Sequence, residues 1–338
     1  MSPGDHKLRR AMQRATQVVR EARTPESPEP ADSAPPADPV GDAIEVLRST
    51  PIEEVQRRGW HFQQRDFYSA LNDFEFLEAN HDLWHDRALP RGVDWNLDGE
   101  VAKLRQIATF AAELAEVPQE MAPGPPSFHW RNDFWSGLDP LVHYCLLRDA
   151  KPRRVVEIGC GWSSLLLAKA LGENESEGAP RTIVDQVEPY PRTELLSALP
   201  DHWDLHAQIL QRAPFEPFEA LEAGDVCFYD GSHVAKPGSD VVWFFAEILP
   251  RLKPGVLVHL HDIFFPRDYP DYWIFERGQT WNEQYVLEAF LMYNSDFRPL
   301  ICNQALMAYH PDVLDELFAS IVPPLGGGSI WLERVAGS

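Results

Sequence analysis

The chain has 338 residues and a formal net charge of −22 at neutral pH, which allows one large domain plus a smaller one and argues against DNA or RNA, whose binders present a basic face. No run approaches the roughly 20 apolar residues of a membrane span, and the start lacks the apolar stretch of a signal peptide. The cysteines, Cys145, Cys160, Cys227 and Cys302, are scattered without paired spacing, as suits reduced, buried thiols in a cytoplasmic protein.

From Lys7 to Arg23 the charges are basic, on a segment that could form a membrane-surface or partner helix, but its apolar face is thin, so a solvated tail is the expectation. Thr24 to Pro39 turns to Pro, Ala, Ser, Glu and Asp, the composition of a disordered linker. Residues 1–40 are thus expected to lie outside the fold. Residues 41–150 pattern mainly as helix. Val101, Leu104, Ile107, Ala108, Ala111 and Leu114 recur at spacings of three and four, which predicts one buried stripe. Trp60, Phe62, Phe67, Tyr68, Phe74, Phe76 and Trp84 make an aromatic stretch that reads as core. Asn132 to Leu138 leads into a helix reaching about Arg148, and Pro152 ends it.

From residue 151 strands and helices alternate, as in parallel βαβ units. Strands are expected at about Arg153–Ile158, Thr182–Val187, Leu205–Leu210, Asp225–Tyr229, Gly255–His261, Phe297–Cys302 and Ser329–Glu333. The helix before the fifth strand should start near Ser239 and turn Val242, Phe245, Ala246 and Leu249 to the sheet.

Val155 and Val156 belong to a β-branched run that Gly159 and Gly161 break before the apolar run Leu165-Leu166-Leu167-Ala168. This reads as strand, glycine turn, helix. The glycines admit close approach of a ligand, and the helix's first N–H groups favour a polar or anionic group. The next strand ends in Glu188, placed to accept from a ribose hydroxyl pair. Together these features predict a nucleotide-type cofactor site. The dinucleotide fingerprint lacks its third glycine, replaced by Ser164. Glu157-Ile158-Gly159-Cys160-Gly161, with an acid before the glycines, instead resembles the first motif of the class I S-adenosylmethionine-dependent methyltransferases, and the resemblance runs from about Asp139 to Glu333. It implies a Rossmann-like α/β fold: a seven-stranded, mostly parallel sheet with helices on both faces, ending in an antiparallel hairpin. Residues 151–338 would form the cofactor-binding domain and residues 41–150 a helical cap over its cleft. Glu157, Gly159, Gly161, Ser163 and Asp230 would line the S-adenosylmethionine site, with Glu188 on the ribose. Gln211-Arg212 stands where relatives often have an acid for the adenine amino group.

Ligands of open α/β sheets bind beyond the carboxyl ends of the strands. Here strand four ends in Asp230-Gly231-Ser232-His233 and strand five in His261-Asp262. The family's strand order makes these ends neighbours about 5 Å apart. Two carboxylates there repel unless a cation or protons intervene, and Mg²⁺ or another hard divalent ion fits. With Trp281-Asn282-Glu283-Gln284-Tyr285 opening a helix, the set more closely resembles the group that includes macrocin O-methyltransferase and the rhamnosyl and cephalosporin hydroxylase-like proteins. That resemblance implies Asp230 and Asp262 as metal ligands and His233 as general base. Where those relatives carry an acid before the second aspartate this chain has His261, a further candidate ligand.

Plainer readings stand beside these. Asp230-Gly231-Ser232 is ordinary turn chemistry, His259 and His261 share a strand face as core histidines do, and Thr280 with Glu283 makes a capping box. The aromatic segment Pro266 to Trp281 should wall the substrate pocket, with Glu276 and Arg277 as polar members. The resemblance implies transfer of a methyl group to a hydroxyl of a sugar or natural product, by a chain compatible with homo-oligomers. The alternatives are an iron-dependent hydroxylase using Asp230, His233, His261 and Asp262, and a cofactor-holding protein without chemistry.

Overall fold

A computed structural model describes residues 38–335 except 67, 86, 319, 320 and 322–325. The basic segment Lys7 to Arg23 and nearly all of the Pro-rich stretch lie outside the described residues. The chain groups into two compact units, one up to Gln64 and one from Arg65 to Ser338.

In the first unit, helix Pro39–Ser49 starts within the stretch expected to be linker, because Asp38 accepts from the Gly41 N–H and Pro39 sits at the first helical position. A second helix spans Ile52–Arg57.

The second unit is built on a seven-stranded sheet of order β3-β2-β1-β4-β5-β7-β6, the Rossmann-like class I methyltransferase fold. Its strands are β1 (Arg154–Ile158), β2 (Ile183–Val187), β3 (Asp204–His206), β4 (Val226–Tyr229), β5 (Leu257–His261), β6 (Phe297–Cys302) and β7 (Ser329–Arg334). The first five run parallel, and β7 is antiparallel to both β5 and β6. Strand order reverses between β1 and β4, which opens a crevice at their carboxyl ends.

Alternation along the strands divides the core between two faces. Val155, Val226, Phe228 and Trp331 pack with the helices Leu138–Ala150 and Trp162–Ser176. Val156, Cys227, Tyr229, Ile330 and Leu332 pack on the other face with Val241, Phe244, Leu287 and Leu291. The stripe expected around residue 104 is real: Leu104, Ile107, Ala111 and Leu114 are buried, along the helix Leu97–Ile107 and the 3₁₀ turn Ala108–Leu114 that continues it. Among the described residues no helix is long and apolar enough to cross a membrane.

Three expectations are corrected. The third strand ends at His206, not Leu210: it has a neighbour on one side only, the Gln208 N–H turns back to the His206 carbonyl at 2.8 Å, and Leu210–Arg212 is a 3₁₀ turn. The helix capped by Ser239 passes into π geometry at Phe244–Ile248. Val241, Phe244, Ile248 and Leu249 meet the sheet while Val242 and Ala246 are exposed, a stripe offset by one residue that begins at Val241, before the π turn. Trp60, Tyr68, Phe74 and Phe76 are exposed rather than core. The helices beside them, four to six residues long, are too short to bury a stripe.

Glu100 lies within the stripe helix, fully buried, and accepts from the Cys302 N–H at 2.9 Å. Burial pushes its carboxyl up to about 7 from an ordinary 4.5, against the lowering effect of that hydrogen bond. Below the ordinary value both folded and unfolded states are protonated. Between about 4.5 and 7 the unfolded chain ionises first, so rising pH destabilises the fold. The full penalty, up to about 3 kcal/mol, is present above 7. Glu100→Gln, which keeps an acceptor for Cys302, should therefore flatten the stability loss between pH 5 and 8 as read by urea unfolding. Parallel pH profiles for wild type and variant would contradict this.

Candidate active site

The first half of the site is the glycine turn after β1. Gly159 has φ 84, and a Cβ there would collide with the Asp230 carbonyl at the end of β4, so the sheet itself demands glycine. Gly161 is different: a Cβ there would meet nothing within 4 Å. Its bareness leaves open space beside the turn.

Glu157, expected at the cofactor, is fully enclosed and holds the turn from beneath. It accepts from Ser163 Oγ and Ser164 Oγ at 2.8 Å each and from Gln186 Nε2 at 2.6 Å. Burial raises its carboxyl to about 7 although all three donors pull the other way. Ser164, where a third glycine would stand, also accepts from the Gly161 N–H at 3.1 Å. Glu188 fixes the turn from the β2 side, accepting from the Cys160 N–H at 3.2 Å and the Tyr190 N–H at 2.7 Å.

Two cavities flank this turn and share Gly159, Glu188, Asp230 and Gly231. One of about 330 Å³ is an apolar slot with Val187, Ile209 and Leu210, and one of about 180 Å³ is lined by Gly161, Ser163, Phe134 and Arg192. At the inner wall of the slot Gln211 donates Nε2 to the Gly238 carbonyl at 2.7 Å, leaving its buried Oε1 without a partner.

The second half lies at the ends of β4 and β5. Asp240 holds the turn after β4 by accepting from the Tyr229 hydroxyl at 3.1 Å and the Ser232 N–H at 2.7 Å. A side chain on Gly231 would strike that carboxylate. The turn chemistry that Asp230 was able to supply thus falls to Asp240, and Asp230 faces the cleft. His233 Nε2 stands 3.2 Å from Asp230 Oδ1 and 3.3 Å from Asp262 Oδ2. On its other side Nδ1 donates to buried Glu283 Oε2 at 2.8 Å, and its ring lies 4.2 Å from that of Trp281. Burial alone would lower the imidazole pKa, but Asp230, Glu283 and Asp262 outweigh it and raise it well above the ordinary range.

His261 points between carboxylates: Asp262 Oδ1 at 3.2 Å, Asp139 Oδ2 at 3.7 Å and Asp230 Oδ1 at 3.9 Å. Neither of its buried nitrogens has an aligned hydrogen bond. Burial opposes its charge, yet Asp262, Asp230 and Asp139 push its pKa up to about 10. His259 is fully buried among Phe228, His143 and Trp331, with a pKa well below ordinary because burial and its histidine neighbours disfavour charge.

A cavity of about 610 Å³ opens on this side, lined by Asp262, His261, Asp139 and the segment from Arg267 to Arg277, including Trp273 and Glu276.

Two site residues escaped the sequence reading. Glu283 was assigned to a capping box with Thr280, but Asn282 is the N-cap and no side chain caps that helix. The Glu283 carboxylate turns to His233 instead. Asp139 is buried behind His261, held by the Gly328 N–H, Ser329 Oγ and Asn303 Nδ2 at 2.7, 2.7 and 2.8 Å. A lone acid in the apolar run Gly137-Leu138-Asp139-Pro140-Leu141 was the available signal.

Residues 156–263 match the family model described as a methyltransferase domain. A protein of Archaeoglobus fulgidus described as uncharacterized is 26% identical over 174 residues, 51% of this chain and 68% of that one. Among solved structures, an apo structure of CmcI is 19% identical and covers 81% of this chain and 98% of its own, with a TM-score of 0.36. The MycE methyltransferase from the mycinamycin biosynthetic pathway, in complex with Mg, SAH and mycinamycin VI, is 14% identical over 60% of this chain and 50% of its own, with a TM-score of 0.33.

The open space at Gly161 and the carboxylate of Glu188 should both govern cofactor affinity. Glu188→Ala removes a charged acceptor and should weaken S-adenosylhomocysteine about 10–100-fold by calorimetry, the range for hydrogen bonds to charged groups. Gly161→Val should also weaken it, with little change in melting temperature, since nothing in the protein fills that space. Unchanged affinity in both variants would remove the cofactor from this turn.

Proposed function

We propose that this chain, which carries a class I methyltransferase domain, transfers the methyl group of S-adenosylmethionine to a hydroxyl of a small molecule, a sugar or natural product. Its base is His233, and Asp230 with Asp262 holds a divalent ion. One observation carries this reading. Asp230 borders both cavities at the glycine turn, Asp262 borders the 610 Å³ cavity, and His233 Nε2 lies within 3.3 Å of each carboxylate. The cavities at the glycine turn and the large cavity are thus linked through two carboxylates that both approach one imidazole nitrogen.

The residues present fit the cofactor. Glu188 would have lone pairs left for the ribose hydroxyls, Ile209 and Leu210 would give the apolar faces an adenine needs, and Gln211 Oε1, which has no other partner, would accept from its amino group in place of the acid found in relatives. Arg192, beside the open space at Gly161, suits the carboxylate end. S-adenosylmethionine, when bound, supplies an electrophilic methyl carbon. The protein aligns the acceptor and removes its proton: the hydroxyl oxygen gains the methyl group as His233 Nε2 takes the proton, and the methyl carbon–sulfur bond breaks with its electron pair left on the sulfur of S-adenosylhomocysteine. Glu283, accepting from Nδ1, fixes the ring's tautomer and balances the imidazolium that forms.

Asp230 and Asp262, whose ligand atoms lie within 4.8 Å of each other and of a ring nitrogen of His233, would hold a divalent ion that keeps waters in its shell and would leave His233 Nε2 to take the proton. Such an ion would supply Lewis acidity to the hydroxyl oxygen and draw the two aspartates' charge away from His233. An iron hydroxylase needing two imidazoles and a carboxylate is served less well, because His261 stands outside the Asp230, His233 and Asp262 group and faces Asp139.

Acceptors are sought by incubating the protein with S-adenosylmethionine and a panel of glycosides and polyketides, with mass spectrometry for the gain of one CH₂. His233→Ala should slow transfer roughly 10²–10⁴-fold while S-adenosylhomocysteine still binds. Chelation should stop transfer and Mg²⁺ restore it. Full transfer after exhaustive chelation defeats the metal, and an oxygenated product dependent on Fe(II) and O₂ defeats methyl transfer.

A further inference from the structure

A second cluster of metal-binding side chains stands on the wall of the large cavity. His81 opens the short helix His81–Trp84 and His85 follows it. Their i, i+4 spacing puts both imidazoles on one face, where the rings stack with centroids 4.3 Å apart and an interplanar angle of 24°. Asp271, just before the turn Tyr272–Glu276, meets them from the cavity wall. His81 Nε2 lies 3.1 Å from both of its carboxylate oxygens, and His85 Nε2 lies 3.6 Å from Oδ1.

Two stacked imidazoles aimed at the same carboxylate would repel if both were charged, whereas neutral rings offer two nitrogen lone pairs beside two oxygens. The three ligand atoms lie within 4.8 Å of one another. The segments that carry them are already fastened: Asn72 Nδ2 donates to the Gln279 carbonyl at 2.8 Å, and Phe275 packs at 6.1 Å from Phe74 and 6.2 Å from Trp84. The cluster is thus held in place by contacts that do not depend on an ion.

We propose that His81, His85 and Asp271 form a second divalent-metal site, separate from Asp230 and Asp262, for a zinc-class ion. Two imidazole nitrogens and one carboxylate favour zinc or cobalt over Mg²⁺, which demands oxygen ligands. Three protein ligands leave at least one position open. Because His85 and Asp271 line the 610 Å³ cavity, that position faces the cavity and ligates an oxygen or nitrogen of its occupant. The ion also tethers the His81 helix to the cavity wall.

The full-length protein is stripped of metal and titrated with Co²⁺, with visible d–d absorption and native mass spectrometry as readouts. Wild type should show bands that persist in excess Mg²⁺ and in Asp262→Asn. His81→Ala and Asp271→Asn, both at partly exposed positions that leave the fold intact, should weaken Co²⁺ and Zn²⁺ by at least about tenfold, since loss of even an outer-shell partner costs 10–100-fold. Wild-type affinity in both variants overturns the site. Loss of the bands in Asp262→Asn, with the bands kept in His81→Ala, also overturns it by assigning the ion to the other cluster.

Discussion

Asp230 and Asp262 end adjacent parallel strands, and pairing between β4 and β5 brings those ends together. Strands lie about 4.8 Å apart, so the sheet forces two carboxylates into one small volume whatever else the sequence does. Much of the surrounding chemistry answers that repulsion. His233 sets one nitrogen between the two acids and is backed by Glu283. His261 enters from the opposite side and is backed by Asp139. Both histidines are pulled toward charge by their neighbours although burial opposes it.

The backbone at these positions is shaped for the same purpose. His233 and Asp262 both lie in the left-handed region, at φ 60 and 56, where a side chain other than glycine costs roughly 1–2 kcal/mol. A residue continuing the strand would send its side chain up or down from the sheet. The left-handed turn instead swings Asp262 back over the strand end and brings His233 across from β4. The chain is held there by the His233 carbonyl, which accepts from the Asn282 and Glu283 N–H groups at 3.0 and 3.2 Å. The helix that supplies Glu283 to the imidazole thus also pins the backbone beneath it.

Most of this frame was legible in the residues. β-branched runs, glycine turns and apolar helices gave five of the seven strands to within one residue at each end, because a short buried strand bounded by turn signals has few competing readings. The edge strand β3 was overrun, since Leu205, Ile209 and Leu210 look alike in sequence whether they face a core or a ligand slot. The helix after Ser239 was misphased by one position because adjacent apolar pairs, Val241-Val242 and Phe244-Phe245, offer the same three-and-four spacing in either phase. Glu283 was hidden by a local explanation that sufficed: an acid three residues after Thr280 satisfies a capping box on paper. What decided its role was the position of His233, fifty residues away, which no local pattern encodes. Glu157 erred in the other direction. An acid beside the glycines marked the loop correctly, yet its carboxylate serves the loop's own serines and not a ligand.

Counting charge around the strand ends gives the electrostatic case for the ion proposed there. Four carboxylates, Asp139, Asp230, Asp262 and Glu283, surround two imidazoles. Even with both rings protonated the cluster keeps an excess of two negative charges in a largely buried place. Protons can relieve part of this: burial raises Asp139 and Glu283 against their hydrogen bonds. But Asp230, which His261 and His233 hold below the ordinary carboxylate range against the effect of burial, stays ionised. A divalent ion, if held by Asp230 and Asp262 as proposed, would cancel the excess without protonating either and would weaken the attraction that holds a proton on His233. On the proposed reading, His233 would therefore act as a base only once that ion is held.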